Sequence, residues 1–452
     1  MMDQKTLLEL GRYIVETGVK RGASAVEVLS QSVSDVDVNI ESGEISGVER
    51  RISDEVAIRL YVGKRMGSAF TNIPTRKAAD EAISMALTSA KVTTKDRDWV
   101  ALPEPKGYPV IEGLWDEAVA GCEPSKVVEV AGDFMARAVE AEKGLIPAFG
   151  GTGVGTVESA YVNSSGIAHS ERGGVAYAVL GAIAQFEGGV TPMILAFDIR
   201  RSMDLELDEA VADIASMIRV CKKHVKGETG DHTVVMHPWA YSQILNYTLL
   251  QSVKGDNVAR GKSKLEGEIG ETIASEKVTL TDDGTDLRGI NTSIADDEGI
   301  PRQRTPLIED GVLRSFLWDS YWANKMGEES TGNANRNMRQ GLVEISSSNT
   351  VVEPGGRGID EIISEIDYGY LVRNVQGAHS SNPESGDFSV VGNPAILIEE
   401  GEMVGAVHGL MVSGNVYSLL KNCVEVAEEP HVLQSFIGPE LVFDGVKVTA
   451  RE

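Results

Sequence analysis

Asp296, Asp297 and Glu298 stand side by side in the stretch DDEGIPRQRTP, followed by Gly299 and then by Arg302 and Arg304. Ten residues earlier TDDGTD contributes Asp282, Asp283 and Asp286, so six carboxylates crowd one short region. Carboxylates gathered this way hold a hard cation, exchange protons, or brace a turn by accepting hydrogen bonds. A calcium loop needs oxygens at alternate positions and glycine at the sixth. Counted from Asp282, the third residue is Gly284 and the sixth Leu287, so that pattern fails. DDEGIP also lacks spaced ligands. The expectation is a structural turn, with Arg302 and Arg304 as partners of the acids and no metal bound there.

Other reactive spellings are weaker. GGTGVGTVES (Gly150–Ser159) is followed by an alternating strand rather than a helix and carries no Gly-Lys-Ser/Thr, so it reads as a turn or bulge and not a phosphate loop. The Gly-Lys-Ser at Gly261–Ser263 lacks the upstream glycine, because Asp256 holds that position. There is no Gly-x-Ser-x-Gly elbow. The seven histidines, His169, His224, His232, His237, His379, His408 and His431, are scattered, and each read alone is structural or exposed. His232 and His237 are five apart, and Pro238 places them where an extended strand runs into a helix, on opposite faces. Cys122, Cys221 and Cys423 are widely separated, which signals neither a disulfide framework nor a zinc knuckle.

The elements that must position these groups fall into two textures. In the first half, apolar residues recur at helical spacing at Leu7, Leu10 and Ile14, at Ala79–Ala90, at Val127–Ala138 and at Leu207–Cys221. Between these helices lie two alternating meanders that turn at ESGE and NSSG. The sequence therefore predicts two quasi-repeated blocks, 1–93 and 123–227, joined by a proline-containing connection with Pro103, Pro105 and Pro109. After residue 228 one helical pattern, about Trp239 to Val253, leads into alternating runs joined by Glu-Asp-Gly, Glu-Glu-Gly and Asp-Gly turns. The expected fold is α+β: an N-terminal helix and antiparallel-sheet domain (1–227), then a mostly antiparallel sandwich or barrel (228–452). Acidic residues outnumber basic ones 68 to 42, a net charge of −26 that repels phosphate backbones and anionic lipid, so nucleic acid and membrane are not expected partners. The charged start and the short, glycine-rich apolar run Gly173–Phe186 point to a cytoplasmic protein.

In the second half, GDNVARGKSKLEGEIGETIASEKVTLTDDGTD, ADDEGIPRQRTPLIEDGVLRSFLWDSYWANKMG, STGNANR and SGDFSVVGNPAILIEEGEMVGAV follow the order and spacing of the TldD/PmbA family. The first half resembles it more loosely, through VDVNIESGEISGVERRISDEVAIRLYVGKRMGSAFTN and the VNSSG meander. The family was first named for gyrase modulation and is viewed as peptide-degrading. The resemblance implies that Asp282, Asp283, Asp296, Asp297, Glu298 and Gly299, with Thr331, Gly332 and Asn333, are family-motif turns. TldD-like members carry His-Glu-x-x-x-His and a late cysteine as a metal site; PmbA/TldE members lack them and pair with a TldD-like chain. Here the positions of the motif fall on Asn246, Tyr247 and Gln251, and no cysteine follows Cys423. Amides are poor zinc ligands, and a phenol of pKa near ~10 is a poor general base at neutral pH.

The resemblance thus implies a metal-free, PmbA/TldE-like subunit of a metallopeptidase, non-catalytic by itself. Zinc would belong to a TldD-like paralogue in a heterodimer, the substrate would be an extended peptide, and a homodimer is the alternative assembly. Two other functions are weighed beside it: a stand-alone peptide-binding scaffold, and an independent hydrolase that uses the acidic turns with a hard cation.

Overall fold

The computed structural model describes residues 1–451. Helix α1 (Gln4–Lys20) opens the chain, with the Asp3 carboxylate accepting from the Thr6 amide at its start. Three strands follow, β1 (Ala25–Glu41), β2 (Glu44–Val62) and β3 (Arg65–Thr71), and then α2 (Arg76–Val92). The connection that comes next is largely irregular and contains only α3 (Glu117–Ala120). Trp99 of this connection stacks on Tyr61, which ties it to β2. The second block repeats the plan: α4 (Pro124–Ala141), β4 (Leu145–Asn163), β5 (Ala168–Phe186), β6 (Gly189–Val190), β7 (Ile194–Arg200) and α5 (Leu207–Cys221).

The two blocks join through β1 and β4 into one seven-stranded antiparallel sheet. The ESGE turn links β1 to β2 with Ser42 and Gly43 at positive φ, and NSSG links β4 to β5. The long apolar run is the inner part of β5, where Ala176, Ala178, Leu180, Ala182 and Ala184 are buried. Helices α1 and α2 cover one stretch of the sheet through Leu10, Ile14, Ile83 and Ala86; α4 and α5 cover another through Phe134, Ala138, Ile214 and Ile218.

The sheet of the second half takes β8 (His224–Val225), just ahead of the expected boundary at residue 228 because it pairs with Ala406 and Val407, and then β9 (Gly230–Met236). The second half builds a ten-stranded sheet and a six-stranded sheet whose inner faces share a core around Tyr241, Tyr370, Phe443 and Leu307. Pairing is mostly antiparallel, but β9 runs parallel to Tyr368–Val372, β8 to Glu402–Val407, and Thr350–Val352 to Phe436–Gly438. The chain is therefore α+β, with a mixed rather than purely antiparallel second half. The outer face of the large sheet, through Val235, Leu371, Ile396 and Ile398, packs in the same core as α4 and α5, so apolar contact is continuous from one half to the other.

The helix expected over about Trp239 to Val253 is broken. It is α6 (Pro238–Tyr247) and α7 (Leu249–Ser252), separated at Thr248, whose φ −131°, ψ −90° lies outside helical values. The Thr248 hydroxyl donates to the Ile244 carbonyl, a local bond that competes with the helix ladder at this position.

Candidate functional site

The acid-rich turns are buried where the two halves meet, and backbone geometry dictates their shape. Gly299 has φ +74° and sits against the Tyr161 ring, so a side chain there would be strained by both conformation and contact. Gly332 is constrained likewise, with φ +73° and the Pro301 carbonyl where a Cβ would be. Around these glycines the carboxylates accept hydrogen bonds in number. Asp296 takes the amides of Glu298 (3.0 Å), Ile300 (2.9 Å) and Ala334 (3.0 Å). Asp297 takes the Arg336 amide at 2.7 Å. Asp282 takes the Ser348 amide and hydroxyl and the Asn333 amide group, at 2.6, 2.7 and 2.7 Å. Asp283 closes a small turn by accepting from the Thr285 amide and hydroxyl. Thr331 donates to the Asn333 side-chain oxygen, so the TGN turn is bound to the same cluster.

Of the expected partners of the acids, Arg302 acts on Asp282, Asp296 and Asp297 through its charge without a hydrogen bond to any of them, and Arg304 is engaged elsewhere. Arg302 donates to the Ser293 hydroxyl and the Gly332 carbonyl, and Arg304 pairs with Glu353. The guanidiniums that meet the cluster are Arg59 on β2 and Arg336, both buried. Arg59 bridges Glu298 (2.8 Å) and Glu27 on β1; Arg336 reaches Glu27 at 2.6 Å, as does the Tyr161 hydroxyl at 2.7 Å. Sequence separation hides these pairs: Glu27 and Arg336 lie 309 residues apart. Burial raises Glu27, but Arg336 and Arg59 outweigh it and hold the carboxyl at about 2. Burial, then the Glu298 charge, pushes Asp296 up to about 7, and the same two causes bring Asp319, which caps the helix Ser320–Met326, to about 7. The arrangement clamps the halves together, with both carboxylate oxygens of Asp282, Asp296 and Glu298 accepting from N–H and O–H donors.

Asn246 and Tyr247 end α6 on the surface, and Gln251 lies in α7. The break at Thr248 still brings the positions together, since the Gln251 side chain donates to the Asn246 carbonyl at 2.8 Å. Proximity is preserved and the ligand chemistry is not. Two amides and a phenol do not fit zinc, so no step can be derived through a metal at these positions.

At the opposite end of α6 the fold assembles a group that the sequence reading missed. His237 sits at the helix start, His431 in the strand His431–Leu433, and Glu440 just before the strand Leu441–Thr449. Among the described residues these three place a ligand atom each within 4.8 Å of one another. His237 and His431 line a cavity of about 860 Å³ between the halves, with Trp239, Phe197, Asp213 and Arg373 in its wall. Burial, then the Arg373 and His431 charges, holds His237 well below the ordinary imidazole range, so it is neutral. Burial opposes the charged form of His431 too, but the hydrogen bond and charge of Glu440 prevail and raise it. Nothing local marks this site: the two histidines are nearly two hundred residues apart, and they meet because Leu441 pairs with Met236 on β9 while His431 pairs with Gly438, two residues before Glu440.

Comparisons with known proteins identify the family and the fold. Residues 229–450 match the PmbA/TldA metallopeptidase C-terminal domain and residues 26–90 match the PmbA/TldA metallopeptidase domain 1. A protein of Haemophilus influenzae named as a metalloprotease PmbA homologue is 25% identical over 99% of this chain and 96% of its own length. An uncharacterised protein of Methanocaldococcus jannaschii is 26% identical over 96% of this chain and 98% of its own. The crystal structure of TldE from Thermococcus kodakarensis superposes with a TM-score of 0.93 at 34% identity, covering 98% of this chain and 100% of that one. With two family domains spanning most of its length and a TldE fold end to end, this chain belongs to the TldD/PmbA family of metallopeptidases.

Proposed function

We propose that this chain is the PmbA/TldE-like subunit of a two-chain metallopeptidase that acts on extended peptides, and that it supplies no catalytic metal of its own. The carrying observation is the pair Asn246 and Gln251. They occupy neighbouring positions in space, at 2.8 Å between side chain and backbone, but offer amides where a TldD-like chain offers imidazoles. The zinc and the general base would then come from a TldD-like partner. The acidic turns give little support to an independent hydrolase with a hard cation, because both carboxylate oxygens of Asp282, Asp296 and Glu298 are engaged by protein donors.

A sheet edge suits peptide or partner addition. β3 pairs only with Val56–Val62, so the outer side of β2 over residues 44–55 has no strand beside it among the described residues. Val48 and Ile52 on that stretch are about half exposed. Backbone groups on such an edge can take up an added strand. This free edge lies in the first half of the chain.

Co-expression with a chain that carries His-Glu-x-x-x-His tests the assembly. The expected result is a stable one-to-one complex by light scattering. A monomer or homodimer that ignores such a chain would favour the stand-alone scaffold instead.

A further inference from the structure

Where α6 begins, three side chains drawn from distant parts of the chain converge. The His431 Nε2 lies 3.0 Å from the Glu440 Oε1, and the His237 Nε2 lies 3.9 Å from the same oxygen. The His237 Nε2 has no hydrogen-bond partner, although the residue is only 3% exposed. An orphaned, buried ring nitrogen facing a carboxylate and a second imidazole is an arrangement that a small cation completes. We propose that His237, His431 and Glu440 bind one divalent transition-metal ion of the zinc class, with the cavity on its open side.

The spacing fits. Zinc bonds of about 2.0–2.1 Å in a tetrahedron put neighbouring ligand atoms about 3.3 Å apart, between the two separations seen here. Two imidazoles and one carboxylate form a donor set that zinc accepts, with a fourth position left for water or an incoming oxygen. The anchors are firm: His237 is fixed between β9 and Pro238, and Glu440 is buried before the final long strand. The Arg373 guanidinium opposes a cation here, but it is paired with Asp213. An anion in the same place would meet Glu440, so the cation is the better occupant.

Binding has a cost written in the hydrogen bonds. The His237 Nδ1 accepts from the Trp239 amide at 3.2 Å, which puts the ring proton on Nε2 in the empty site. Coordination through Nε2 moves that proton to Nδ1 and releases one helix-capping bond. The site is also distinct from the helix positions that the family resemblance singles out. Asn246 is nine residues further along α6, about 13 Å by helical rise. The family resemblance implies a chain without metal, so an ion held here would overturn that expectation for the chain while leaving Asn246, Tyr247 and Gln251 without ligands.

The full chain, stripped with a chelator and confirmed folded by circular dichroism, should be titrated with Co²⁺ and followed by its visible absorption, then challenged with Zn²⁺. One Co²⁺ per chain with tetrahedral bands, displaced by Zn²⁺, is expected. His431→Ala is the main variant, because that side chain is 42% exposed and its loss leaves the core intact. It and Glu440→Gln should each weaken binding roughly tenfold or more. The double variant Asn246→Ala, Gln251→Ala should bind as the unaltered chain does. No Co²⁺ uptake by the folded chain, or uptake unchanged in both His431→Ala and Glu440→Gln, would overturn the proposal. Because the titration uses this chain alone, its outcome is independent of whether a TldD-like partner assembles with it.

Discussion

The acid-rich turns and the histidine wall of the cavity make opposite use of ionisable groups. In the turns, Asp282, Asp296 and Glu298 are nearly fully buried, and each accepts two or more hydrogen bonds or ion pairs. At the wall, the buried His237 Nε2 has no partner at all and stands beside an open space. Density of charged letters in a sequence therefore marked the place where the carboxylates of Asp282, Asp296 and Glu298 are engaged through both oxygens, although Arg336 beside them keeps its Nε and Nη1 without partners. The place where valence remains is assembled from single residues that tertiary pairing brings together.

The largest effect is expected from removing one charge of the buried cluster. Arg336→Ala leaves Glu27 with a missing partner in a site with no solvent exposure, and about 3–5 kcal/mol of stability should be lost. Urea unfolding measures this, and a loss below about 1 kcal/mol would mean that the clamp between the halves is not built on charge. Next in size, Asp297→Asn weakens acceptance from the Arg336 amide and should cost about 1–3 kcal/mol by the same measurement.

Protonation probes the clamp without removing atoms. Asp296 titrates at about 7 in the folded chain against about 3.9 unfolded, so the folded state holds the extra proton between those values. Its contribution to stability is fully present below about pH 4 and is lost as pH rises through about 7. Glu27, held at about 2, works in the other direction: its contribution is present above about pH 4.5 and is lost as pH falls towards about 2. Asp296→Asn should therefore flatten the decline in melting temperature between about pH 4 and pH 7, and an unchanged slope would remove Asp296 as its source. The smallest effect belongs to the exposed helix end. Asn246→Ala and Gln251→Ala should each change stability by less than about 0.5 kcal/mol, which thermal melting can confirm.

Local patterns carried much of the architecture. Alternation and turn chemistry at ESGE and NSSG placed the first sheet, and helical spacing at Leu207–Cys221 placed α5 with its buried face. Two features escaped. The break at Thr248 depends on a side-chain hydroxyl bonding to the Ile244 carbonyl within an otherwise periodic apolar pattern, so periodicity ran straight through it. The arginines that serve the acid cluster were sought next door at Arg302 and Arg304. A buried pair is chosen by what the sheets bring face to face, and these sheets bring Arg59 and Arg336. For the same reason His237 and His431 read as unrelated until β9, its neighbours and the segment before Leu441 were in place.

The central claim is that peptide cleavage needs a metal this chain does not carry at the family's helix positions. The direct measurement is cleavage of an unfolded peptide by this chain alone, by a His-Glu-x-x-x-His chain alone, and by the two together, each with and without a chelator. The account predicts cleavage by the pair, its loss on chelation, and none by this chain alone. Chelator-sensitive cleavage by this chain alone, abolished by His431→Ala, would contradict it and move the catalytic metal to the histidine wall.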